Sequence, residues 1–130
     1  MKKVTVSSLK KKLWKLFSEY IRRLYADWRG YVACVTCGSV KHYKEQQAGH
    51  FIPGRHNMVL FDERNVHPQC YRCNIALSGN PRKYDKYMRL TYGPEIIEQL
   101  EKLDEQNKQF TIKELEELIK EYKDKLKTLS

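Results

Sequence analysis

A chain of 130 residues holds one compact unit with an appendage, and none of its apolar runs approaches the roughly 18 residues needed to span a membrane. The N-terminal MKKVTVSSLKKKLW is positively charged but lacks the apolar stretch and small-residue cleavage site of a signal peptide, so a cytosolic protein is expected. The net charge of +9 is uneven: residues 1–30 carry nine lysines and arginines against Glu19 and Asp27, whereas residues 94–130 carry ten carboxylates against seven lysines. The first two-thirds therefore form the basic surface, and nucleic acid is the polyanion that such a surface fits.

In chain order, VSSLKKKLWKLFSEYIRRLYADWRG reads as a helix capped by Ser7 or Ser8 and ended by Gly30. Leu9, Leu13, Leu16, Phe17, Tyr20, Ile21, Leu24 and Trp28 recur every three or four residues and make one apolar stripe. Lys10, Lys11, Lys12, Lys15, Arg22 and Arg23 fall mostly off it, on a face left to water or to phosphates. Residues 31–73 are turn-rich. HFIPG and RNVHPQC are expected as two short strands joined by the loop GRHNMVLFDE, and Pro53 and Pro68 limit how far their ladder can run.

CNIALSG is expected as a short helix, followed by a second at NPRKYDKYMRLTYG. There Asn80 is the N-cap, Pro81 takes the first helical position, and Gly93–Pro94 is the stop. PEIIEQLEKLDEQ places Ile96, Ile97, Leu100 and Leu103 on one side of a further helix. Thr111 and Glu114 have capping-box spacing and open a last helix with Ile112, Leu115, Leu118, Ile119, Tyr122 and Leu126 on its apolar side. Residues 94–130 thus form an acidic helical segment. It either packs on its own domain or supplies the interface of a homodimer.

The four cysteines fall as Cys34/Cys37 and Cys70/Cys73, two Cys-x-x-Cys knuckles that match the tetrahedral, sulfur-rich demand of structural zinc. In a reducing compartment this pairing favours metal over disulfide. A plain zinc ribbon places roughly 15–20 residues between its pairs. Here 32 residues separate Cys37 from Cys70, and they contain all four histidines of the chain, His42, His50, His56 and His67, together with Asn65. A metal clamp that encloses every imidazole invites a second, chemical role.

The residues AGHF, ERNVHPQCYRCN and LSGN, in that order, resemble the HNH, or ββα-metal, nuclease motif. The Cys-x-x-Cys-Asn ending is similar to the phage endonuclease VII type, in which a four-cysteine zinc supports the nuclease hairpin. The arrangement as a whole is closer to the lambdoid phage NinG (Rap) recombination endonucleases, and the likeness covers about residues 8–90. It implies an α+β fold: a small zinc-braced ββα-metal core with a long N-terminal helix and C-terminal helices. It divides the chain into an HNH nuclease domain with its basic helix at 1–93 and the acidic helical segment at 94–130.

Carried over by position, the resemblance makes His50 the base that takes a proton from the attacking water. Asn65 becomes the brace of the loop holding His50, and Asn74 the ligand of a catalytic cation through its amide oxygen. It also implies DNA as substrate, branched as in Holliday junctions or D-loops, and a phage protein acting in the cytoplasm of its bacterial host. The chemistry of the residue types agrees. Phosphodiester hydrolysis needs a nucleophile generator, which a neutral imidazole supplies near pH 6.5, and a Lewis acid such as Mg²⁺ or Mn²⁺.

One position departs from the pattern. Gly49 stands where many of these nucleases have an acidic cation ligand. His67, two residues past Asn65 on the same strand face, is one candidate to complete the shell, and contact with phosphate or with another ligand is its alternative role. Arg55, Arg64, Arg72, Arg82 and Lys83 flank the motif as phosphate contacts, beside Lys10, Lys11, Lys12 and Lys15 on the first helix. His42 and His56 read as loop histidines. Two other classes of function stay open at this level. One is a non-catalytic zinc-containing DNA-binding module, which Gly49 favours; the other is an adaptor acting through the acidic helices.

Overall fold

The computed structural model describes residues 3–53 and 57–129. Arg55 and His56 lie outside the described residues. The fold is α+β. Helix α1 spans Val6–Leu24, and a first hairpin pairs β1 (Tyr31–Ala33) with β2 (Val40–His42). A second pairs β3 (Gln47–His50) with β4 (Val66–Gln69), with α2 (Asn57–Leu60) inside its connection. After a π-helical turn at Arg72–Ala76 come α3 (Pro81–Tyr92), α4 (Ile96–Asp104) and α5 (Ile112–Thr128). Among the described residues no helix is long and apolar enough to cross a membrane.

Helix α1 starts earlier than Ser7 or Ser8. Thr5 is its N-cap, accepting from the Ser8 N–H, while the Ser8 hydroxyl accepts from the Thr5 N–H to close a capping box. It also stops earlier than Gly30, at Leu24. The cause is Asp27, whose carboxylate accepts the backbone N–H groups of Arg29 and Tyr31 and winds the chain into a tight turn. Trp28 therefore leaves the apolar stripe and stands 92% exposed.

The β3–β4 hairpin is the middle layer. On one face Ala48 and Val66 pack with Leu13, Phe17 and Ile21 of α1 and with Leu115, Ile119 and Tyr122 of α5. On the other, Val59 of α2 packs with Tyr84 and Met88 of α3 and with Ile96, Ile97 and Leu100 of α4. Each fully buried side chain of this size contributes about 1.5–3 kcal/mol, so α5 is an integral wall of the core. Phe17 and Tyr122 meet edge to face at 5.0 Å, and Glu63 accepts from Tyr122 Oη and Lys125 Nζ at 2.8 and 2.9 Å. The packing is continuous across residue 93, so the composition boundary there does not separate two cores.

Several local expectations change. The first motif strand runs Gln47–His50 and ends at the histidine, since Phe51 and Ile52 bend away ahead of Pro53. Part of the expected loop is helical, at Asn57–Leu60. Asn80 precedes α3 but makes no capping hydrogen bond; it sits in the left-handed region and turns its amide to Cys73 Sγ at 3.5 Å. The capping box of Thr111 and Glu114 forms as the spacing predicts.

Candidate functional site

The first hairpin presents Cys34 and Cys37, and the turn after β4 presents Cys70 and Cys73. Their four sulfurs all lie within 4.8 Å of one another. Tetrahedral Zn–S bonds of about 2.3 Å would set sulfurs about 3.8 Å apart, and Cys37 Sγ is 3.6 Å from Cys70 Sγ. The cluster can hold a metal such as zinc. Its surroundings suit thiolates: Thr36 Oγ1 lies 3.2 Å from Cys34 Sγ, Ser39 Oγ 3.3 Å from Cys37 Sγ, and the Cys73 N–H donates to Cys70 Sγ at 3.4 Å. Burial opposes ionisation of Cys34, but the Thr36 hydroxyl and nearby N–H groups outweigh it and bring the thiol down to about 6. Burial pushes the Cys73 thiol up to about 11. Four thiolates therefore need a cation's charge to coexist here.

A groove of about 550 Å³ opens along the free edge of β3. Trp14, Ser18 and Arg22 of α1 form one bank, at the four-residue spacing of a single helix face. His50 and Leu60 lie at one end, and Gln46, Gln47 and Asn74 form the opposite side. The structure thus brings His50 and Asn74 to the same groove.

His50 is half-buried and stacks on Trp14, with ring centroids 4.7 Å apart and planes at 18°. Its Nε2 lies 3.2 Å from the Leu60 carbonyl oxygen. A carbonyl can only accept, so Nε2 carries the proton and Nδ1 keeps a lone pair. Burial lowers the pKa of His50, and the bond to Leu60 offsets that only in part, so the ring is neutral at pH 7. The position of Leu60 is set by Asn65, which is fully buried. The Asn65 amide donates to the carbonyls of Ile52 and Val59 and accepts from the Ile52 N–H at 2.8 Å. It ties Ile52 to Val59, the residue just before Leu60.

Asn74 turns its Nδ2 to Gln47 Oε1 at 2.7 Å and its Oδ1 towards Gly49. Glycine is required at position 49 by close approach. A Cβ there would collide with Gln69 Oε1 and would lie 3.0 Å from Asn74 Oδ1. Gln69 fills the space an acidic side chain would need. Its Nε2 donates to the Gly79 carbonyl at 2.9 Å and to Thr36 Oγ1 at 3.2 Å, which fixes Oε1 on the Gly49 side. That oxygen is buried and has no hydrogen-bond donor among the described residues.

Of the groove-lining side chains, the amide oxygens of Asn74 and Gln47 fit a hard divalent cation by donor class, whereas Gln69 is fully buried and does not line the groove. None of the side chains lining the groove is a carboxylate. A cation held there would be bound weakly until a phosphate added its charge.

His67 is not brought to the groove. It faces α3 and is 0% exposed. Tyr84 Oη donates to the Gly49 carbonyl at 2.7 Å, so at 3.0 Å it must accept from His67 Nδ1. His67 Nε2 then accepts from Tyr92 Oη at 2.6 Å. Both nitrogens are engaged and no lone pair is left for a cation, which corrects the reading of His67 as a ligand. Burial drives its pKa down to about 4.

The basic residues divide. Lys10 and Lys11 line a crevice with Trp14 and Leu60 that adjoins the groove. Lys10 is also bonded to Asn57 Oδ1 at 2.7 Å. Lys15 is exposed, whereas Lys12 sits in a separate crevice with Glu116, Lys120 and Lys123. Arg64 is paired with Asp62 at 2.8 Å, and Arg72, Arg82 and Lys83 are exposed. Arg22 was read only as part of the basic face, although its spacing from Trp14 and Ser18 places it in the groove. Gln69 carried no sequence signal.

The class defined by this arrangement is a small α+β protein with a four-cysteine cluster that could hold a metal, beside a histidine–asparagine groove. The profile of the NinG family, described as Bacteriophage Lambda NinG protein, matches residues 1–130, and the chain belongs to that family. It is 32% identical to Protein ninG of Escherichia phage lambda and to that of Salmonella phage P22, in each case over 97 residues. Those matches cover 74% of this chain and 47% of each relative. The chain therefore spans about half the length of the curated relatives it matches. No solved structure matches it.

Proposed function

We propose that this chain is a zinc-braced HNH-type endonuclease that hydrolyses DNA phosphodiester bonds, with His50 as the base. The single observation that carries the reading is the state of His50. Its ring is neutral, held by Trp14 and the Leu60 carbonyl, and among the described residues its Nδ1 has no partner, in a groove that Asn74 also lines. Nδ1 can take the proton of a water aligned for attack on phosphorus, and the Nε2–H bond to Leu60 steadies the imidazolium that forms. Asn65 keeps Leu60, and hence the ring, in register. Arg22 and Lys11 lie where the strand's phosphates would pass.

Asn74, with Gln47, would hold Mg²⁺ or Mn²⁺, which would supply Lewis-acid stabilisation of the charge developing on the phosphate. Branched recombination intermediates are the substrate class that fits the family resemblance, and a homodimer would offer two grooves to two strands.

The rival reading, a zinc-containing module that binds DNA without cutting it, draws on the carboxylate-free groove. Purified protein incubated with linear, nicked and four-way-junction DNA, with Mg²⁺, Mn²⁺ or chelator, separates the two. Cation-dependent cleavage, fastest on the junction, is expected. Binding without cleavage under every cation would establish the rival.

A further inference from the structure

Beyond the groove, the end of α1 builds a second feature that hydrolysis does not use. Asp27 accepts the N–H groups of Arg29 and Tyr31, each at 2.9 Å, and the Asp27 N–H donates to the Tyr31 carbonyl at 2.8 Å. Gly30 closes this turn with φ at +86°, and a Cβ on it would meet the His42 ring at 2.7 Å. The turn is thus over-determined, yet it holds out into water the 92% exposed Trp28, the most exposed large apolar side chain among the described residues. An indole kept from burial by a rigid turn is a feature of binding surfaces.

The neighbours of Trp28 give the partner's chemistry. The Arg29 guanidinium lies 5.8 Å from the Trp28 ring and 5.1 Å from the Tyr31 ring. The guanidinium groups of Arg22 and Arg23 lie 5.9 and 5.7 Å from the Tyr43 ring. Aromatic rings interleaved with arginines make the surface that takes nucleobases by stacking and phosphates by charge. Arg22, which lines the His50 groove, donates at 2.9 Å to the carbonyl of Tyr43, which lines the cleft holding Trp28 and Arg23.

We propose that Trp28 is a stacking platform for an unpaired nucleobase of the same DNA strand whose phosphodiester sits at His50. Arg22, Arg23 and Arg29 carry the backbone between the two. The proposal rests on reading the groove as a DNA site and deepens it, because it assigns preference for strands with unpaired bases to one residue.

The test is equilibrium binding of the full chain, in chelator, to a fully paired duplex and to the same duplex carrying a single-stranded flap. Trp28→Ala should weaken binding to the flapped DNA about tenfold and leave the paired duplex unchanged, with Trp28→Phe retaining most of the affinity. A 2-aminopurine base in the flap should be quenched by wild type and by Trp28→Phe, but not by Trp28→Ala. No loss on either DNA, or equal loss on both, overturns the platform while leaving the groove reading intact. A wild-type chain that binds neither DNA overturns both.

Discussion

His50 and His67 stand on neighbouring rungs of one hairpin, opposite Val66 and Gly49 respectively, and so face opposite sides of it. His50 meets α1 at the rim of an open groove and keeps one nitrogen free. His67 is sealed beneath α3, and both its nitrogens are taken by tyrosines. On the proposed reading the same side chain would serve as a reactive base in one place, while in the other it is a hydrogen-bonded pin, and strand parity makes the difference. Four expected outcomes test that contrast.

The largest effect should come from the brace beneath both faces. Apparent binding energies of structural zinc reach about 10–16 kcal/mol in zinc-finger peptides, comparable to the whole stability of a small domain. Cys70→Ser should therefore unfold the hairpin region, read by circular dichroism and by loss of zinc in elemental analysis. A folded, zinc-free variant would show that the hairpin stands without the cluster.

The His67 face comes next. Its folded-state pKa of about 4 is below the ordinary value of about 6.5, so the unfolded chain binds the proton more readily. The stabilisation it contributes is present above pH 6.5 and is lost as the pH falls towards 4, amounting to about 3 kcal/mol across that window. His50, also lowered by burial, adds in the same direction. Urea titrations of wild type and His67→Phe should show the variant with the flatter pH dependence. Equal slopes would remove His67 from the buried network.

A smaller effect is expected at Gly49. Gly49→Ala should cost about 1–3 kcal/mol by overpacking against Gln69. Adding Gln69→Ala should return part of that loss, as contacting residues couple in a double-mutant cycle. Strict additivity of the two changes would contradict the close approach.

Much of this was legible in the sequence because it rests on spacing. The two Cys-x-x-Cys pairs, the Thr111–Glu114 capping box and the apolar sides of α4 and α5 are local patterns, and each forms at or near its expected place. The end of α1 was not legible, because Asp27 captures N–H groups that a periodicity count treats as helical. The β1–β2 hairpin has three-residue strands, too short to show alternation. Asn80 looks like a cap by type but is drawn to the Cys73 sulfur by tertiary contact. At the site, the pairing of His50 with Asn74 follows from motif order, whereas Gln69 over Gly49 depends on a side chain crossing between strands. No linear pattern encodes that crossing.

The proposed role of His50, and not His67, as the hydrolytic base is decided by cleavage itself. It is tested most directly by single-turnover cleavage of a four-way junction by His50→Ala beside wild type, with zinc content and thermal midpoint measured on the same samples. The expected result is a variant that folds, keeps its zinc and binds DNA, yet cleaves on the order of 10²-fold more slowly or worse. A His50→Ala protein that cuts as fast as wild type would contradict the assignment and move the search for a base out of this groove.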